Sequence, residues 1–412
     1  MTHAPRFAGL RKVSGFTVVV VASTLVGFIA TAILFRRVGG EEWANMLVGQ
    51  VVAGLAVIFV LFGWGATGAA MIAGSPVAQR PALYLQSLRV RSVLFVIVAP
   101  IAAVVATLLT RGDLTGGVLA TLTYLVPGLA ASWYFVGEGK PRRLVLFDAL
   151  PGLLGTFAGA IAVQITAQMW TYLICQAAGY AAAVVISAIV IRRDGGDTPL
   201  APPQHWRAAL SGQRHAILTT ATSGLYVALP YLAVSLFIRP LADVYGLADR
   251  TLKYANVAFS PVLQYFQGWV AAVGEDTRAR ARTAGRLALM LGVIGGFGLA
   301  LLMPPFTLLL SGGQASVSYI VAVPLGVAFA AICVSAVVGL ACLAALGHTR
   351  ELAVSTVLGA AIGAPLILLA ASFGELSLVA TALAVSEGVV ATYQVLALRR
   401  VLRDPRNADV TA

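Results

Sequence analysis

Residues 44–72 read ANMLVGQVVAGLAVIFVLFGWGATGAAMI and contain no charged side chain. A stretch of this length and apolarity predicts a transmembrane helix, since about 20 helical residues cross the roughly 30 Å hydrocarbon core of a bilayer. Eleven further apolar stretches follow the same pattern. Together the twelve predict an all-α polytopic membrane protein, with helices over residues 13–35, 44–72, 92–109, 117–136, 144–163, 169–191, 216–238, 244–272, 286–303, 317–345, 353–371 and 376–398.

The composition supports a membrane protein. Charged residues make up 11% of the chain, against about 25% in soluble domains, and the mean hydropathy is +0.90. The net charge of +12 does not form one patch, so it argues against nucleic acid as a partner. Instead, 22 of the 28 Lys and Arg residues lie in alternate polar segments, beginning with the N-terminus.

This alternation predicts the orientation of the protein. Because Lys and Arg concentrate in cytoplasmic loops, we expect both termini on the cytoplasmic side of a bacterial inner membrane. The apolar run over residues 13–35 is too long for a signal-peptide core and is interpreted as a retained first helix. Three cysteines fall inside predicted helices, where they suit packing better than a disulfide or zinc framework: Cys175, Cys333 and Cys342.

The chain divides at its longest polar segment. Residues 192–215 are rich in Gly and Pro and predict a cytoplasmic linker between a six-helix lobe over 1–191 and another over 216–412. Two junctions recur in the halves at nearly one offset. FRRVGGEEW at 35–43 resembles FIRPLADVY at 237–245, and GKPR at 139–142 resembles GHTR at 347–350. These matches favour parallel six-helix repeats.

The eighth predicted helix, over 244–272, carries the most informative polar residues. At 100° per residue, a single polar stripe covers an arc of about 120° and comprises Arg250, Lys253, Asn256, Ser260, Gln264 and Gln267. A cation at mid-helix costs about 2.5 to 3.5 kcal/mol to insert, so it normally faces protein, water or an anion. The stripe therefore predicts a wet cavity. The alternative is a helix that starts later, leaving both cations at the outer interface with Asp249 paired to one of them.

Other polar residues are expected near this stripe. Helix 216–238 carries a polar face that ends at Tyr226, and helix 13–35 carries a face of Ser and Thr, so the three helices are expected to converge on one polar space. Two carboxyls lie within apolar runs, Asp148 and Glu387. Asp148 is close enough in sequence to Arg142 and Arg143 for an ion pair, whereas Glu387 is the stronger candidate for ion coupling.

Catalytic motifs are lacking in the sequence. The four histidines lie in predicted cytoplasmic segments, and neither a hydrolase motif nor a phosphate-binding loop is present. No metal site or cofactor is expected, and the chain is not expected to be an enzyme.

Several short motifs resemble those of a known transporter family. WYFVGEGK at 133–140 and GGEEW at 39–43 resemble helix junctions of Wzx-type polysaccharide flippases, and three more segments resemble the multidrug/oligosaccharidyl-lipid/polysaccharide (MOP) exporter superfamily: VYGLA at 244–248, PP at 304–305 and ALGHTR at 345–350. The resemblance implies two six-helix lobes in a V around a central cavity that opens alternately to either side.

The resemblance also implies a substrate, an undecaprenyl-diphosphate-linked oligosaccharide moved from the cytoplasmic to the periplasmic leaflet. Its diphosphate is expected to be held by Arg250 and Lys253, with Asn256, Gln264, Gln267 and Tyr226 available to the sugars. Expected partners are membrane lipid and the glycosyltransferases or polymerase of the same pathway. Two alternatives remain: an ion-coupled multidrug exporter of the same superfamily, and a non-transporting membrane partner of polysaccharide-synthesis enzymes.

Overall fold

The computed structural model describes residues 24–195, 214–272 and 277–403, which are helical and contain no strand. The helix α1 covers residues 24–38. The other α-helices of more than one turn are α2 (Gly40–Leu61), α3 (Trp64–Gly74), α4 (Arg80–Leu109), α5 (Ala120–Leu125), α6 (Ser132–Glu138), α7 (Leu150–Thr166), α8 (Met169–Asp194), α9 (Arg214–Phe237), α10 (Ala242–Val270), α11 (Thr277–Ser311), α12 (Tyr319–Ala336), α13 (Thr349–Ser372) and α14 (Leu376–Arg403).

Ten stretches of the described residues are helical, long and apolar enough to cross a membrane. They are Gly40–Gly74, Val77–Leu109, Thr115–Glu138, Pro141–Thr166, Met169–Asp194, Thr220–Phe237, Thr277–Ser311, Tyr319–Leu343, Thr349–Ser372 and Leu376–Arg403. Two helices are not among them. The described part of α1, residues 24–38, is shorter than 18 residues, and α10 has the length but is too polar.

The chain forms two compact units, Met1–Ala228 and Leu229–Ala412. The predicted linker over 192–215 lies mostly outside the described residues, and its first three residues, 192–194, continue α8. In the first unit an aromatic cluster packs α4 against α3 and α6, with Tyr84, Trp133, Tyr134 and Phe135 at its centre. In the second unit α10, α11 and α14 pack around the helix segment Val337–Leu343.

Small residues let neighbouring helices approach closely. A Cβ atom on Gly179 of α8 would lie 2.6 Å from the carbonyl oxygen of Pro151, and one on Gly296 of α11 would lie 2.4 Å from that of Gly326. Only glycine fits such contacts, and membrane helices pack this way because the lipid supplies no hydrophobic force between them. Gly155, Gly159, Gly292 and Gly359 make similarly close contacts with neighbouring helices.

An arginine near the start of a helix holds the end of the preceding helix in each unit. In the first unit Arg80 donates to the carbonyl oxygens of Ser75 (3.0 Å) and Ala73 (3.4 Å) at the end of α3. In the second, Arg280 donates to those of Trp269 (2.7 Å) and Ala272 at the end of α10. Both satisfy carbonyls that a helix end leaves free. The two arginines are 200 residues apart, near the offsets of 202 and 208 between the matching junctions, and the internal duplication stays a prediction.

Several predicted helix bounds were wrong. The helix predicted over 92–109 begins at Arg80, and the one predicted over 286–303 covers Thr277–Ser311. A helix can continue beyond its apolar part through turns that contain charged residues, and hydropathy does not detect these turns. The helix predicted over 117–136 is interrupted: a 3₁₀ turn at Val126–Leu129 ends in extended backbone at Ala130, before α6. The three cysteines are unpaired, as expected from packing residues.

Candidate functional site

The polar stripe predicted from the sequence lies on α10, which begins at Ala242. With a rise of 1.5 Å per residue, Arg250 is about 12 Å and Lys253 about 17 Å from this start. Lys253 is three residues from Asn256, the middle residue of the 29-residue helix. The later helix start is therefore wrong, and both cations lie well inside the helix. Their position relative to a membrane stays a prediction.

The stripe lies beside the helix side that packs within its own unit. The buried residues of α10 include Tyr245, Ala248, Leu252, Phe266 and Val270, which share one side of the helix at 100° per residue. Phe266 and Val270 belong to the core cluster formed with α11 and α14. The six stripe residues occupy the adjoining arc, centred about 105° around the helix from these buried residues, and each is half-buried or exposed. Asn256 lies at the edge of this arc next to the buried side, and Arg250 lies farthest from it.

The two cations differ in their surroundings. The Nζ atom of Lys253 lies 2.6 Å from Oδ2 of Asp249, one turn earlier, and the Lys253 side chain is 41% exposed while that of Asp249 is 13% exposed. Asp249 thus pairs with one of the cations, as the alternative expected. The acid precedes the base by four residues, the favourable order in a helix. An ammonium group has three donors, so the pair leaves Lys253 with further donors for an anion. Arg250 is half-buried.

The amide residues of the stripe supply neutral hydrogen-bonding groups. The Oδ1 atom of Asn256 is buried and accepts no hydrogen bond from any described residue. Gln264 is exposed and Gln267 is half-buried. Ser260 donates to the carbonyl oxygen of Val257 at 2.8 Å, which leaves its oxygen as an acceptor. A buried unpartnered amide oxygen is costly, so Asn256 is the stripe residue most in need of a ligand or water.

The remaining candidate residues lie on other helices. Tyr226 is half-buried on α9, in the first unit, and Glu387 is half-buried on α14, in the second. Residues 13–23 of the first predicted helix lie outside the described residues, so its convergence with α9 and α10 stays a prediction. Within the described ranges, no group of three His, Cys, Asp or Glu side chains is placed to hold a metal ion.

A second buried polar site was missed by the sequence analysis. Arg91, which precedes the helix predicted over 92–109, is fully buried within α4. Its Nη1 atom donates to the carbonyl oxygens of Gly128 (3.1 Å) and Ala130 (2.9 Å), and Nη2 donates to Ser87 Oγ (3.3 Å). The guanidinium carbon also lies 5.7 Å from the ring centre of Tyr84 and 5.5 Å from that of Trp133. Arg91 thus stabilises the interrupted helix between Val126 and Ser132.

Asp148 completes this site from the other side. Its Oδ1 atom accepts the backbone N–H of Ala131 at 3.2 Å. The ion pair expected with Arg142 or Arg143 is wrong: among the described residues Asp148 pairs with neither, its Oδ1 atom bonds the Ala131 backbone, and Arg143 contacts Glu138 and Asp194. The signal available in the sequence was Pro127 followed by Gly128, which favour a helix break whose free backbone groups need partners.

The fold is found in solved structures of membrane transporters. The lipid II flippase MurJ, in an inward closed conformation, superposes with a TM-score of 0.65 at 13% identity, over 92% of this chain and 87% of that chain. An inward-facing multidrug resistance MATE family transporter of the MOP superfamily gives 0.62 at 15% identity, over 94% and 96%. The MATE multidrug transporter DinF-BH in complex with R6G gives 0.62 at 17% identity, over 98% and 96%.

The chain has the MOP fold. The resemblance drawn from short sequence motifs is thereby confirmed at the level of the superfamily's fold. Because identities are 13 to 17%, the MOP fold is shared without close sequence similarity. The sequence matches no protein-family model and no curated protein.

Proposed function

We propose that this chain is a MOP-type membrane transporter that moves a polyprenyl-diphosphate-linked oligosaccharide from the cytoplasmic to the periplasmic leaflet by alternating access. The observation that carries the proposal is the polar face of α10, with two cations deep in a helix of a transporter fold. Ionisable residues within membrane-spanning helices mark substrate or ion pathways, and the proposal takes α10 as one such helix. The similarity to the lipid II flippase MurJ supports a lipid-linked substrate.

In this proposal Arg250 and Lys253 bind the diphosphate through charge-assisted hydrogen bonds. The carboxylate of Asp249 holds Lys253 when no substrate is bound, which offsets the cost of a cation inside the membrane. An incoming diphosphate competes with this carboxylate for the ammonium group and repels it. Binding therefore exchanges one anionic partner of Lys253 for another, so neither the empty nor the loaded site contains an uncompensated lysine.

The membrane potential supplies a driving force for outward movement. A negative charge leaving an inside-negative cell gains about 2.3 kcal/mol per 100 mV. The diphosphate carries at least one such charge, so transport needs no dedicated coupling ion. If an ion is coupled, Glu387 on α14 is the proposed carrier, because it is an ionisable residue midway along a membrane helix.

The topology is part of the proposal. We propose that α1 and α10 are the first and eighth of twelve crossings, in two six-helix lobes over residues 1–191 and 216–412 that form a V around a central cavity. Tyr226 of α9 would then line this cavity, and Asn256, Gln264 and Gln267 would bind sugar hydroxyls. Both termini are cytoplasmic in a bacterial inner membrane, where glycosyltransferases or a polymerase act on the same lipid.

A multidrug exporter is the second candidate, since the MATE transporters share the fold with similar TM-scores. An ion-coupled exporter of this class is expected to have an acidic residue on its first helix, and residues 13–35 contain none. A non-transporting partner of polysaccharide-synthesis enzymes is the third.

Reconstitution separates the three candidates. The purified protein is placed in liposomes, and movement of a fluorescent undecaprenyl-diphosphate-linked sugar is followed alongside movement of R6G under a proton or sodium gradient. The proposal expects flipping of the lipid, accelerated by a potential that favours outward movement of negative charge. Gradient-dependent R6G transport without lipid flipping identifies an exporter. If neither compound moves, the non-transporting partner of polysaccharide-synthesis enzymes is the remaining candidate.

A further inference from the structure

The end of α10 carries an exposed aromatic surface that the diphosphate site does not use. The ring of Tyr265 stacks on that of Trp269, with planes 9° apart and centres 6.4 Å apart, while the Tyr265 side chain is 65% exposed. Trp269 packs against the core cluster that contains Phe266 and Val270. Its backbone carbonyl also accepts a hydrogen bond from Arg280 at 2.7 Å. The core therefore fixes Trp269, and Trp269 supports the exposed ring.

A glycine opens the helix surface beside this ring. Gly268 is exposed, and a Cβ built on it would meet no atom within 4 Å. At 100° per residue, Gly268 lies between Tyr265 on one side and Gln264 on the other. Gln264 is also exposed. The three residues thus form a shallow surface bounded by an aromatic face and an amide.

Aromatic faces and amides suit the chemistry of sugars. A pyranose presents C–H groups on its faces, which pack on the negative face of an aromatic ring, and hydroxyl groups on its rim, which pair with amide donors and acceptors. A ring already fixed by its neighbours loses little conformational freedom on binding. We infer that Tyr265, Gln264 and the open backbone at Gly268 form a sugar-binding subsite of the carried oligosaccharide.

The spacing of the two sites identifies which sugars bind. Tyr265 follows Lys253 by twelve residues and Arg250 by fifteen, a separation of about 18 to 22 Å along the helix. A sugar linked directly to a diphosphate held by these cations does not reach so far. The subsite therefore binds sugars distal to the diphosphate and selects an oligosaccharide over a single sugar. This inference rests on the proposed function of α10.

Exposed aromatic residues near a helix end also form the interfacial belt of membrane proteins. If Tyr265 belongs to this belt, removing its ring should lower the stability of the protein in lipid, whatever the substrate. If Tyr265 forms a sugar subsite, removing its ring should weaken lipid binding by an amount that depends on glycan length. Tyr319, at the start of α12, is a 53% exposed tyrosine at another helix end and is the matched control.

The test compares two lipids on the full-length protein in nanodiscs: undecaprenyl diphosphate carrying one N-acetylglucosamine, and the same lipid carrying a linear N-acetylglucosamine oligomer. The wild type is expected to bind the oligomer more tightly. Tyr265→Ala is expected to weaken oligomer binding about 3- to 10-fold and to leave single-sugar binding unchanged. Tyr265→Phe keeps the stacking face and is expected to stay near wild type, as is Tyr319→Ala.

Three results overturn the inference. They are equal wild-type affinity for both lipids, an equal loss for both in Tyr265→Ala, or no loss for the oligomer in that variant. An equal loss accompanied by lower thermal stability identifies a belt residue. If the wild type binds neither lipid, the proposed function fails and the subsite with it. If it binds both but Tyr265→Ala has no length-dependent effect, the subsite alone is wrong.

Discussion

Arg91 and Asp148 bind the two ends of a single peptide group, the one that joins Ala130 to Ala131. Arg91 donates to its carbonyl oxygen at 2.9 Å, and Asp148 accepts its N–H at 3.2 Å. This peptide lies where the helical backbone is interrupted, so no helical partner is available for either group. The side chains of α4 and of the segment before α7 thereby replace the missing backbone hydrogen bonds.

Removing the guanidinium should destabilise the first unit. Arg91→Leu leaves the carbonyls of Gly128 and Ala130 buried without this donor, and we expect a loss of about 3 kcal/mol or more in the free energy of unfolding. Denaturant titration in detergent measures it. Arg89→Leu, on the exposed side of the same helix, is the control. Equal stability of the two variants would show that Arg91 is not needed to hold the break.

Substitutions at Asp148 separate hydrogen bonding from charge. Asp148→Asn keeps an oxygen that accepts the N–H of Ala131, so its unfolding free energy should stay within about 1 kcal/mol of wild type, whereas Asp148→Ala should lose about 1 to 3 kcal/mol. Lipid flipping should persist in Asp148→Asn, because the role assigned here needs only an acceptor. Loss of flipping in a stable Asp148→Asn protein would instead identify Asp148 as an ion carrier.

Two glycines should respond in opposite directions to alanine. A Cβ on Gly179 would lie 2.6 Å from the carbonyl oxygen of Pro151, so Gly179→Ala must push α7 and α8 apart, at a cost of about 1 to 3 kcal/mol. Gly54 on α2 is exposed and has open space, so Gly54→Ala should gain up to about 1 kcal/mol from helix propensity. Unfolding midpoints measured in detergent show whether each variant is more or less stable than the wild type. A stabilised Gly179→Ala would contradict the close helix contact.

The sequence predicted most helices because apolar length is a strong signal in membrane proteins. It also predicted the polar side of α10, since helical periodicity places side chains without knowledge of the fold. It failed at Arg91 and Asp148. Hydropathy assigns a charged residue near an apolar stretch to a loop, and only tertiary structure shows that a helix interruption some 40 residues away supplies its partners.

The ion pair of Lys253 was predicted only in part. A pair between Asp249 and one of the two cations belonged to the alternative with both cations at the outer interface, and the structure was needed to identify Lys253 as the partner and to place the pair inside the helix. The unpartnered oxygen of Asn256 was beyond sequence reasoning, because it depends on how neighbouring side chains exclude other donors.

The central claim is that Arg250 and Lys253 hold the diphosphate of a transported lipid. The most direct measurement is flipping of fluorescent undecaprenyl-diphosphate-linked sugar in proteoliposomes by the double variant Arg250→Gln and Lys253→Gln. Arg239→Gln, before the start of α10, is the control for a lost positive charge. We predict that the double variant folds and inserts but flips no lipid, while Arg239→Gln flips at close to the wild-type rate. Flipping at the wild-type rate by the double variant would contradict the account.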